Sequence, residues 1–476
     1  MSKKYIYSLL AVLMIAAFAL SACGPAATPT QAPAMPAATT APAMPADTAA
    51  PAPTTAPAAT AVPAAATLAP GSVEVFSWWV GPGEADGLAA MIKIFQAQYP
   101  KDTFVNAAVA GGAGTNAKAV LATRLAAGDA PDSWQAHAGQ ETIATFVAAK
   151  QVQPLDDFYK TTGFDKVLPK TLLPLISQDG HPYSVPVNIH RSNVMWYSPT
   201  VLKAAGVTLP AGGFKTYADF FAACDKIKAA GKTCLALGAP WTAIHLFENV
   251  MIGTIGAAKW NGLWTTPPTT DWNGADVKAG IANFGKALSY TNSDASTMSD
   301  WQPASKLIAG GDAAFNIMGD WAYGYFANPA PNGLALKPHT DFDWTPAPGT
   351  QGIFVFLSDS FVLPVGNKNP AGTMDWLTVA ASKAGQEAFN PLKGSICART
   401  DCDPKLFSEY SQGAAKDWLS NTVVGSLMHG VVAAPAWATS IGTAIGLFQA
   451  SKMDAGAQAD FQTALAAACK SDGTCK

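Results

Sequence analysis

The segment Val73-Glu74-Val75-Phe76-Ser77 alternates apolar and polar side chains as a β-strand does, and it runs directly into Trp78-Trp79. The residues that follow predict a helix, a strand, a second helix and a third strand in turn: 85–99, 104–109, 117–127 and 133–137. Strands that alternate with helices in this way are typical of an α/β fold with a largely parallel sheet.

The ends of the first and third predicted strands carry the first candidate ligand contacts. Trp78 and Trp79 follow the first strand, and Gln135 and His137 end the third. Ligands of open α/β sheets bind beyond the carboxyl ends of the strands, so this placement predicts a binding site at that edge.

The chain beyond residue 190 adds further elements and shows no internal repeat. We expect helices over 217–230, 275–290 and 304–309, a strand over 315–321, and a mostly helical tail over 371–476.

Residues 1–22 predict a lipoprotein signal peptide. Lys3 and Lys4 precede an apolar stretch, and Leu20-Ser21-Ala22-Cys23 matches a lipobox. We expect cleavage before Cys23 and attachment of lipid to its thiol, which would anchor the protein to a membrane. An ordinary cleaved signal with a free Cys23 is the alternative.

A tether and a folded module follow the signal. Residues 24–70 contain 20 Ala, 11 Pro and 9 Thr, a composition that prevents a continuous helix and offers nothing to build a core. We therefore expect the lipidated Cys23 and a disordered tether over 23–70. All 14 Trp residues lie in the remaining module, 71–476, which is long enough for two lobes.

Composition excludes several classes of protein. The chain is 49% hydrophobic and 13% charged, with a formal net charge of −3. This balance argues against a nucleic-acid partner. Past residue 20, the chain has no run of about 18 apolar residues that is typical of a membrane helix, which argues against a polytopic membrane protein.

The odd number of cysteines fits the lipobox. Cys23 is the lipidation candidate, and six of the seven Cys remain. These fall into close pairs that can form disulfides in an oxidising compartment: Cys224/Cys234, Cys397/Cys402 and Cys469/Cys475. A zinc site is the rival interpretation, but no four ligands cluster at metal spacing, so we predict no metal.

Seven short segments carry a resemblance to a known family. They are 76–79 (Phe-Ser-Trp-Trp), 111–114 (Gly-Gly-Ala-Gly), 184–197, 318–321 (Met-Gly-Asp-Trp), 357–361 (Leu-Ser-Asp-Ser-Phe), 390–395 (Asn-Pro-Leu-Lys-Gly-Ser) and 426–430 (Ser-Leu-Met-His-Gly). In these segments the module resembles the family 1 extracellular solute-binding proteins, and within them the glucose/galactose-type sugar-binding branch.

The resemblance implies a periplasmic-binding-protein-like fold of type II, in which two α/β lobes and a hinge enclose a ligand cleft. Chain crossings between the lobes are expected at 182–188 and 352–361. The implied domains are a first lobe over about 71–184 and 354–400, a second lobe over about 185–353, and a C-terminal helical region over 401–476.

The candidate ligand contacts are flat aromatic rings and groups that donate or accept hydrogen bonds, as sugar recognition requires. They are Trp78, Trp79, Glu84, Gln135, His137, Trp301, Asp359, Lys393 and His429. Because adjacent strand residues face opposite sides, one indole of the 78/79 pair is expected in the cleft, preferably that of Trp79. Each residue also has a structural interpretation, as core packing for the Trp residues or a solvated charge for Glu84.

The expected function is capture of a monosaccharide, glucose or galactose, for the permease of an ABC importer at the outer face of the cytoplasmic membrane. We expect a monomer without cofactor or nucleic-acid partner, and no enzyme, because the sequence has no nucleophile elbow, Walker loop or HExxH motif. The alternatives are a secreted carbohydrate-active enzyme and a sugar-sensing lipoprotein. The sequence leaves open which sugar binds.

Overall fold

The structure, a computed structural model, describes residues 71–329, 331 and 333–471. The predicted signal peptide, the lipidation site Cys23, the tether and Cys475 with its predicted disulfide lie outside the described residues. Within the described residues, no helix has the length and hydropathy that a membrane crossing requires.

Strands and helices alternate through most of the described chain. The strands are β1 Ser72–Phe76, β2 Thr103–Asn106, β3 Ser133–His137, β4 Ser177–Gln178, β5 His181–Pro182, β6 Ser184–Pro186, β7 Asn188–Arg191, β8 Val194–Tyr197, β9 Thr233–Leu235, β10 Ala313–Ile317, β11 Asp343–Pro346, β12 Ile353–Leu357, β13 Asp359–Val362, β14 Ile396–Cys397 and β15 Thr422–Gly425. The α-helices are α1 Glu84–Gln98, α2 Thr115–Ala126, α3 Asp156–Thr162, α4 Pro199–Ala204, α5 Tyr217–Ala229, α6 Pro240–Leu263, α7 Ala275–Leu288, α8 Gln302–Ala309, α9 Trp321–Ala327, α10 Pro370–Ala381, α11 Lys383–Lys393, α12 Glu409–Ser420, α13 Pro435–Ala450 and α14 Ala455–Ser471.

The opening pattern of alternating strands and helices is confirmed. The predicted order of the first five elements is that of β1, α1, β2, α2 and β3, with bounds that differ by a few residues. All five residues of β1 are buried, and Val73 and Val75 completely, so this strand is covered on both of its faces.

The first sheet is largely parallel, as predicted, with one antiparallel strand. Its strand order is β2-β1-β3-β13-β6, and β2 and β3 run parallel to β1. Strand β13 runs antiparallel to both β3 and β6, so β6 has the same direction as β1, β2 and β3. The sequence patterns did not predict this one antiparallel strand.

Two more four-stranded sheets have the orders β11-β8-β10-β9 and β14-β7-β12-β15. Both predicted crossings pass between sheets: β6 and β7 flank Val187 but belong to different sheets, and so do β12 and β13, which flank Ser358. Two separate hydrophobic cores accompany this arrangement, one around the first sheet and one around helices α5, α6 and α7. The protein therefore has the two-lobed α/β architecture that was expected.

Disulfides join Cys224 to Cys234 and Cys397 to Cys402, as predicted. The first bond links α5 to β9 within the second lobe, and the second closes a short loop after β14. Both disulfides connect neighbouring elements and therefore stabilise the fold.

Candidate functional site

A cleft lies where β1 and β3 end and β13 begins, and where α1, α8 and α9 begin and α11 ends. Seven of the nine predicted contact residues line it: Trp78, Glu84, His137, Trp301, Asp359, Lys393 and His429. Residues not chosen from the sequence complete the lining: Val80, Gly81, Gly111, Gly114, His190, Trp241, Asp300, Gln302, Trp321 and Leu357.

Trp78 provides an aromatic wall of the cleft. Its backbone N–H donates to Oε1 of Gln135 at 3.2 Å, and its ring centroid lies 5.1 Å from that of His137. Gly114 lies against the opposite side, where an added Cβ would stand 2.7 Å from Cδ2 of the indole. Gly114 has φ +87°, so glycine suits this position for both its backbone and its lack of a side chain.

Trp79 does not line the cleft, which corrects the preference for it over Trp78. Its side chain is 1% exposed and packs against Phe361 and Phe389, with centroid distances of 5.6 and 4.6 Å. The two indoles face opposite ways, as neighbours in an extended segment do, and the core side belongs to Trp79. Pattern alone did not reveal which face was the core.

Asp359 is the acceptor at the centre of the site. Its oxygens accept hydrogen bonds from the side-chain amides of Gln135 and Asn188, each at 2.8 Å. Nε2 of His190 and Nε2 of His137 lie 3.4 and 3.6 Å away. Burial opposes ionisation, but the hydrogen bond and charge of His190 outweigh it and hold the pKa of Asp359 far below its usual range. Asp359 is therefore an ionised carboxylate.

Gln135, the other predicted contact that does not line the cleft, positions two residues that do. It is 2% exposed and bridges Trp78 and Asp359 through its amide oxygen and nitrogen. The structure therefore places it behind the cleft wall.

His137 is oriented from behind by a buried ion pair. Its Nδ1 lies 2.8 Å from Oε2 of Glu141, which also lies 2.6 Å from Nζ of Lys118. Burial raises the pKa of Glu141, but the charges of His137 and Lys118 outweigh burial and bring it to about 2. The fixed Nδ1 contact leaves the Nε2 side of His137 towards Asp359 and the cleft.

Glu84 and Lys393 form an ion pair in the cleft wall, with Nζ 2.6 Å from Oε1. Glu84 is the first residue of α1 and Lys393 the last of α11, so each charge sits at the helix end whose dipole favours it. The Lys393 side chain is only 4% exposed, and its ammonium lies 5.8 Å from the ring centroid of Trp321.

The second lobe contributes aromatic rings to the facing wall. Trp301 packs edge-on against Tyr325, and Trp241 Nε1 donates to Oδ1 of Asp300 at 2.8 Å. Burial raises the pKa of Asp300 by more than the hydrogen bonds that it accepts lower it. Trp321 lies 5.4 Å from the ring of His190. The wall is therefore apolar with one carboxylate.

Two buried residues of the site were not among the predicted contacts, although His190 was considered possible. His190 Nδ1 forms a short hydrogen bond with Asp320, and Asp320 also accepts from the backbone N–H of Arg191 at 2.9 Å. Asp320 opposes the effect of burial, so that the pKa of His190 is raised. Both residues lie inside matched segments, which is the only signal that the sequence offers. That His190 lies between Asp320 and Asp359 is visible only in the structure.

The chemistry of the cleft suits a neutral molecule that carries many hydroxyl groups. Flat indoles can cover apolar C–H faces, Asp359 and Glu84 can accept hydrogen bonds, and Lys393 can donate them. Nothing in this set requires a cofactor.

The fold and the cleft define a two-lobed solute-binding protein. Residues 69–387 match the family of bacterial extracellular solute-binding proteins, and the chain belongs to that family. The predicted family and fold class are therefore confirmed. The prediction that the protein is not an enzyme is confirmed as well, since this family consists of binding proteins.

Similar proteins extend over almost the whole chain. An uncharacterised ABC transporter extracellular-binding protein of Pyrococcus horikoshii is 31% identical over 95% of this chain and 94% of its own. A probable sugar-binding periplasmic protein of Rhizobium meliloti is 32% identical over 77% of this chain and 86% of its own.

Among solved structures, the solute receptor AcbH, described as having an exclusive preference for β-D-galactopyranose, superposes with a TM-score of 0.72. It is 17% identical, and the match covers 84% of this chain and 98% of that one. This likeness supports the fold.

Proposed function

We propose that the protein captures a sugar for an ABC importer and that the ligand is a single sugar of the glucose or galactose type. The observation that carries the proposal is the cleft itself, in which Trp78 and Trp301 provide indole surfaces and the ionised Asp359 provides an acceptor. The sugar-binding relative from Rhizobium meliloti supports the same class of ligand.

The roles proposed for the cleft residues follow from their contacts. Trp78 and Trp301 stack on the sugar, Asp359 and Glu84 accept hydrogen bonds from hydroxyl groups, and Lys393 donates to a hydroxyl oxygen. His137 and His429 each offer one ring nitrogen to the ligand. Gln135 acts through Trp78 and Asp359, and Trp79 stabilises the lobe behind them.

Delivery requires motion of the lobes and a place on the membrane. We propose that the two crossings at 186–188 and 357–359 form the hinge, with lobes close to the predicted bounds, and that the lobes close on the sugar. A lipid on Cys23 and the tether over 23–70 would keep the module near its permease at the outer face of the membrane.

A sugar panel tests this function. The purified protein is heated with D-glucose, D-galactose, xylose, maltose or raffinose, and a ligand raises the melting temperature by an amount that grows with the logarithm of its concentration relative to Kd. We expect a clear increase with glucose or galactose and loss of the increase in Asp359→Asn. No increase with any sugar would overturn the proposal. If a strain that lacks the gene loses sugar uptake, and the returned gene restores it, the protein takes part in transport.

A further inference from the structure

Beneath the cleft, Glu248 ties helix α6 to the turn that carries His429. The Glu248 side chain is completely buried, and its Oε2 accepts hydrogen bonds from the backbone N–H groups of Leu427 at 2.7 Å and Met428 at 3.1 Å. Burial raises the pKa of Glu248 to about 7 against the hydrogen bonds that it accepts, so above that pH it is a carboxylate held on the turn by two main-chain donors.

Ser426 connects Glu248 to His429. Its Oγ lies 2.8 Å from Oε2 of Glu248 and 2.8 Å from Nδ1 of His429, and it accepts the backbone N–H of His429 at 3.2 Å. A hydroxyl has one proton and two lone pairs. Because Oε2 already accepts two amide protons, the hydroxyl proton of Ser426 goes to Glu248. Only lone pairs then face His429, so its Nδ1 carries a proton.

This arrangement determines what His429 offers to the cleft. Burial, with a smaller effect of the neighbouring His137, His245 and Lys118, lowers the pKa of His429 well below its usual value, so the ring is neutral. A neutral imidazole has a single N–H, and a proton on Nδ1 leaves Nε2 with a free lone pair. His429 lines the cleft while Nδ1 is turned to Ser426, so Nε2 lies on the opposite side of the ring.

We propose that Glu248 and Ser426 are positioning residues that fix His429 as a hydrogen-bond acceptor. This part of the cleft then selects a sugar hydroxyl that donates and disfavours a group that only accepts. The inference rests on the proposed sugar-binding function. It adds a specific requirement, which is that one hydroxyl of the ligand must act as a donor to Nε2 of His429.

A metal ion is the competing interpretation of the same residues. His245, Glu248 and His429 place one potential ligand atom each within 4.8 Å of one another. Both oxygens of Glu248 already accept donors, since Oε1 lies 3.2 Å from Oγ of Ser192. Nδ1 of His245 lies 3.6 Å from the same oxygen. Because both oxygens of Glu248 are occupied, a metal ion is disfavoured. The hydrogen-bonded chain from Glu248 through Ser426 to His429, called the relay below, is favoured instead.

The tautomer can be measured directly. Nitrogen NMR of the protein labelled with ¹⁵N-histidine distinguishes protonated from unprotonated ring nitrogens, and His429→Gln assigns the signal among the six His. Above pH 7, where Glu248 is ionised, we expect Nε2 of His429 to be unprotonated in the sugar-free protein and to become mixed in Ser426→Ala. A protonated Nε2, or displacement of the proton on Nδ1 by one equivalent of Zn²⁺, would overturn the inference. This readout needs no ligand.

Binding tests the consequence with a matched control. Ser192→Ala also removes a buried hydroxyl from Glu248 but leaves the link to His429 intact. With D-glucose or D-galactose, we expect Ser426→Ala to raise Kd by roughly 5- to 10-fold and Ser192→Ala by less than about 2-fold, as for one hydrogen bond. Equal effects of the two variants would contradict the relay.

Fluorinated sugars identify the hydroxyl that donates to Nε2 of His429. Among the monodeoxyfluoro analogues of the sugar that binds, one should lose affinity in the natural protein and lose clearly less in Ser426→Ala, because fluorine cannot donate. The same penalty in both proteins for every analogue would overturn the inference. If no sugar binds at all, the proposed function fails, and the NMR result alone decides the relay.

Discussion

The ammonium of Lys393 lies 2.6 Å from Oε1 of Glu84, and the two charges stand at the ends of helices although the residues are 309 positions apart in the chain. Their side chains are 4% and 13% exposed, so neither charge is well solvated. Removal of one partner leaves the other desolvated and unpaired, which is the costly case for a buried pair.

Lys393→Met is therefore expected to destabilise the protein by about 3 kcal/mol, and the double variant with Glu84→Gln should recover part of that loss. Urea unfolding of the sugar-free protein measures both. Lys368→Met is the control, because Lys368 pairs with Asp129 at the surface, where a lost pair costs about 0–1 kcal/mol. A double variant no more stable than Lys393→Met would contradict this account.

The two adjacent tryptophans should separate binding from stability. Trp79→Ala removes a core side chain and is expected to cost about 3–5 kcal/mol of unfolding free energy. Trp78→Ala should cost less and abolish sugar binding, because Trp78 lines the cleft. Unfolding curves and calorimetric titration of each variant decide the matter. Unimpaired sugar binding in Trp78→Ala would remove this residue from the site.

Gly114→Ala tests the contact between Gly114 and the indole of Trp78. The new Cβ would stand 2.7 Å from the indole, so the ring must shift and sugar binding should weaken by more than about 10-fold. Gly128→Ala is the matched control, since Gly128 also has a positive φ, of +72°, but no heavy atom within 4 Å. Both variants should lose about 1 kcal/mol of stability from backbone strain. Equal sugar affinity in the two would refute the role of Gly114.

Acid should destabilise the protein through Glu141. Its pKa is about 2 in the folded protein against an ordinary value of 4.5, so the unfolded chain takes up the proton first. Stability from this group is complete above pH 4.5 and is lost as the pH falls towards 2. Melting temperatures of the natural protein and Glu141→Gln between pH 6 and 2 check the effect. The variant should show a shallower acid loss, and identical pH profiles would contradict the assignment.

The local patterns of the chain predicted its first five elements because each depends on side chains close in sequence. The alternation around Val75 and the helical spacing after Glu84 are examples. Residues 352–361 were expected as a crossing between the lobes, but the antiparallel pairing of strand β13 with β3 depends on contacts between residues more than 200 positions apart.

The site was predicted where a residue type and a matched segment coincided, as at Asp359 and His429. The resemblance did not distinguish Trp78 from Trp79, because the choice depends on which side of the segment the core of the lobe occupies. His190 and Glu248 were not among the predicted contacts because their roles come from buried partners on other elements, namely Asp320 and Ser426. A single sequence does not bring such partners together.

The central claim is that the cleft around Asp359 binds one neutral sugar. Isothermal titration of the purified protein with D-glucose and D-galactose tests it most directly, with Asp359→Asn in parallel. The account predicts saturable one-to-one binding to the natural protein and at least about 10-fold weaker binding to Asp359→Asn, because the variant loses a charged acceptor. Absence of binding to the natural protein, or equal affinity in the variant, would contradict it.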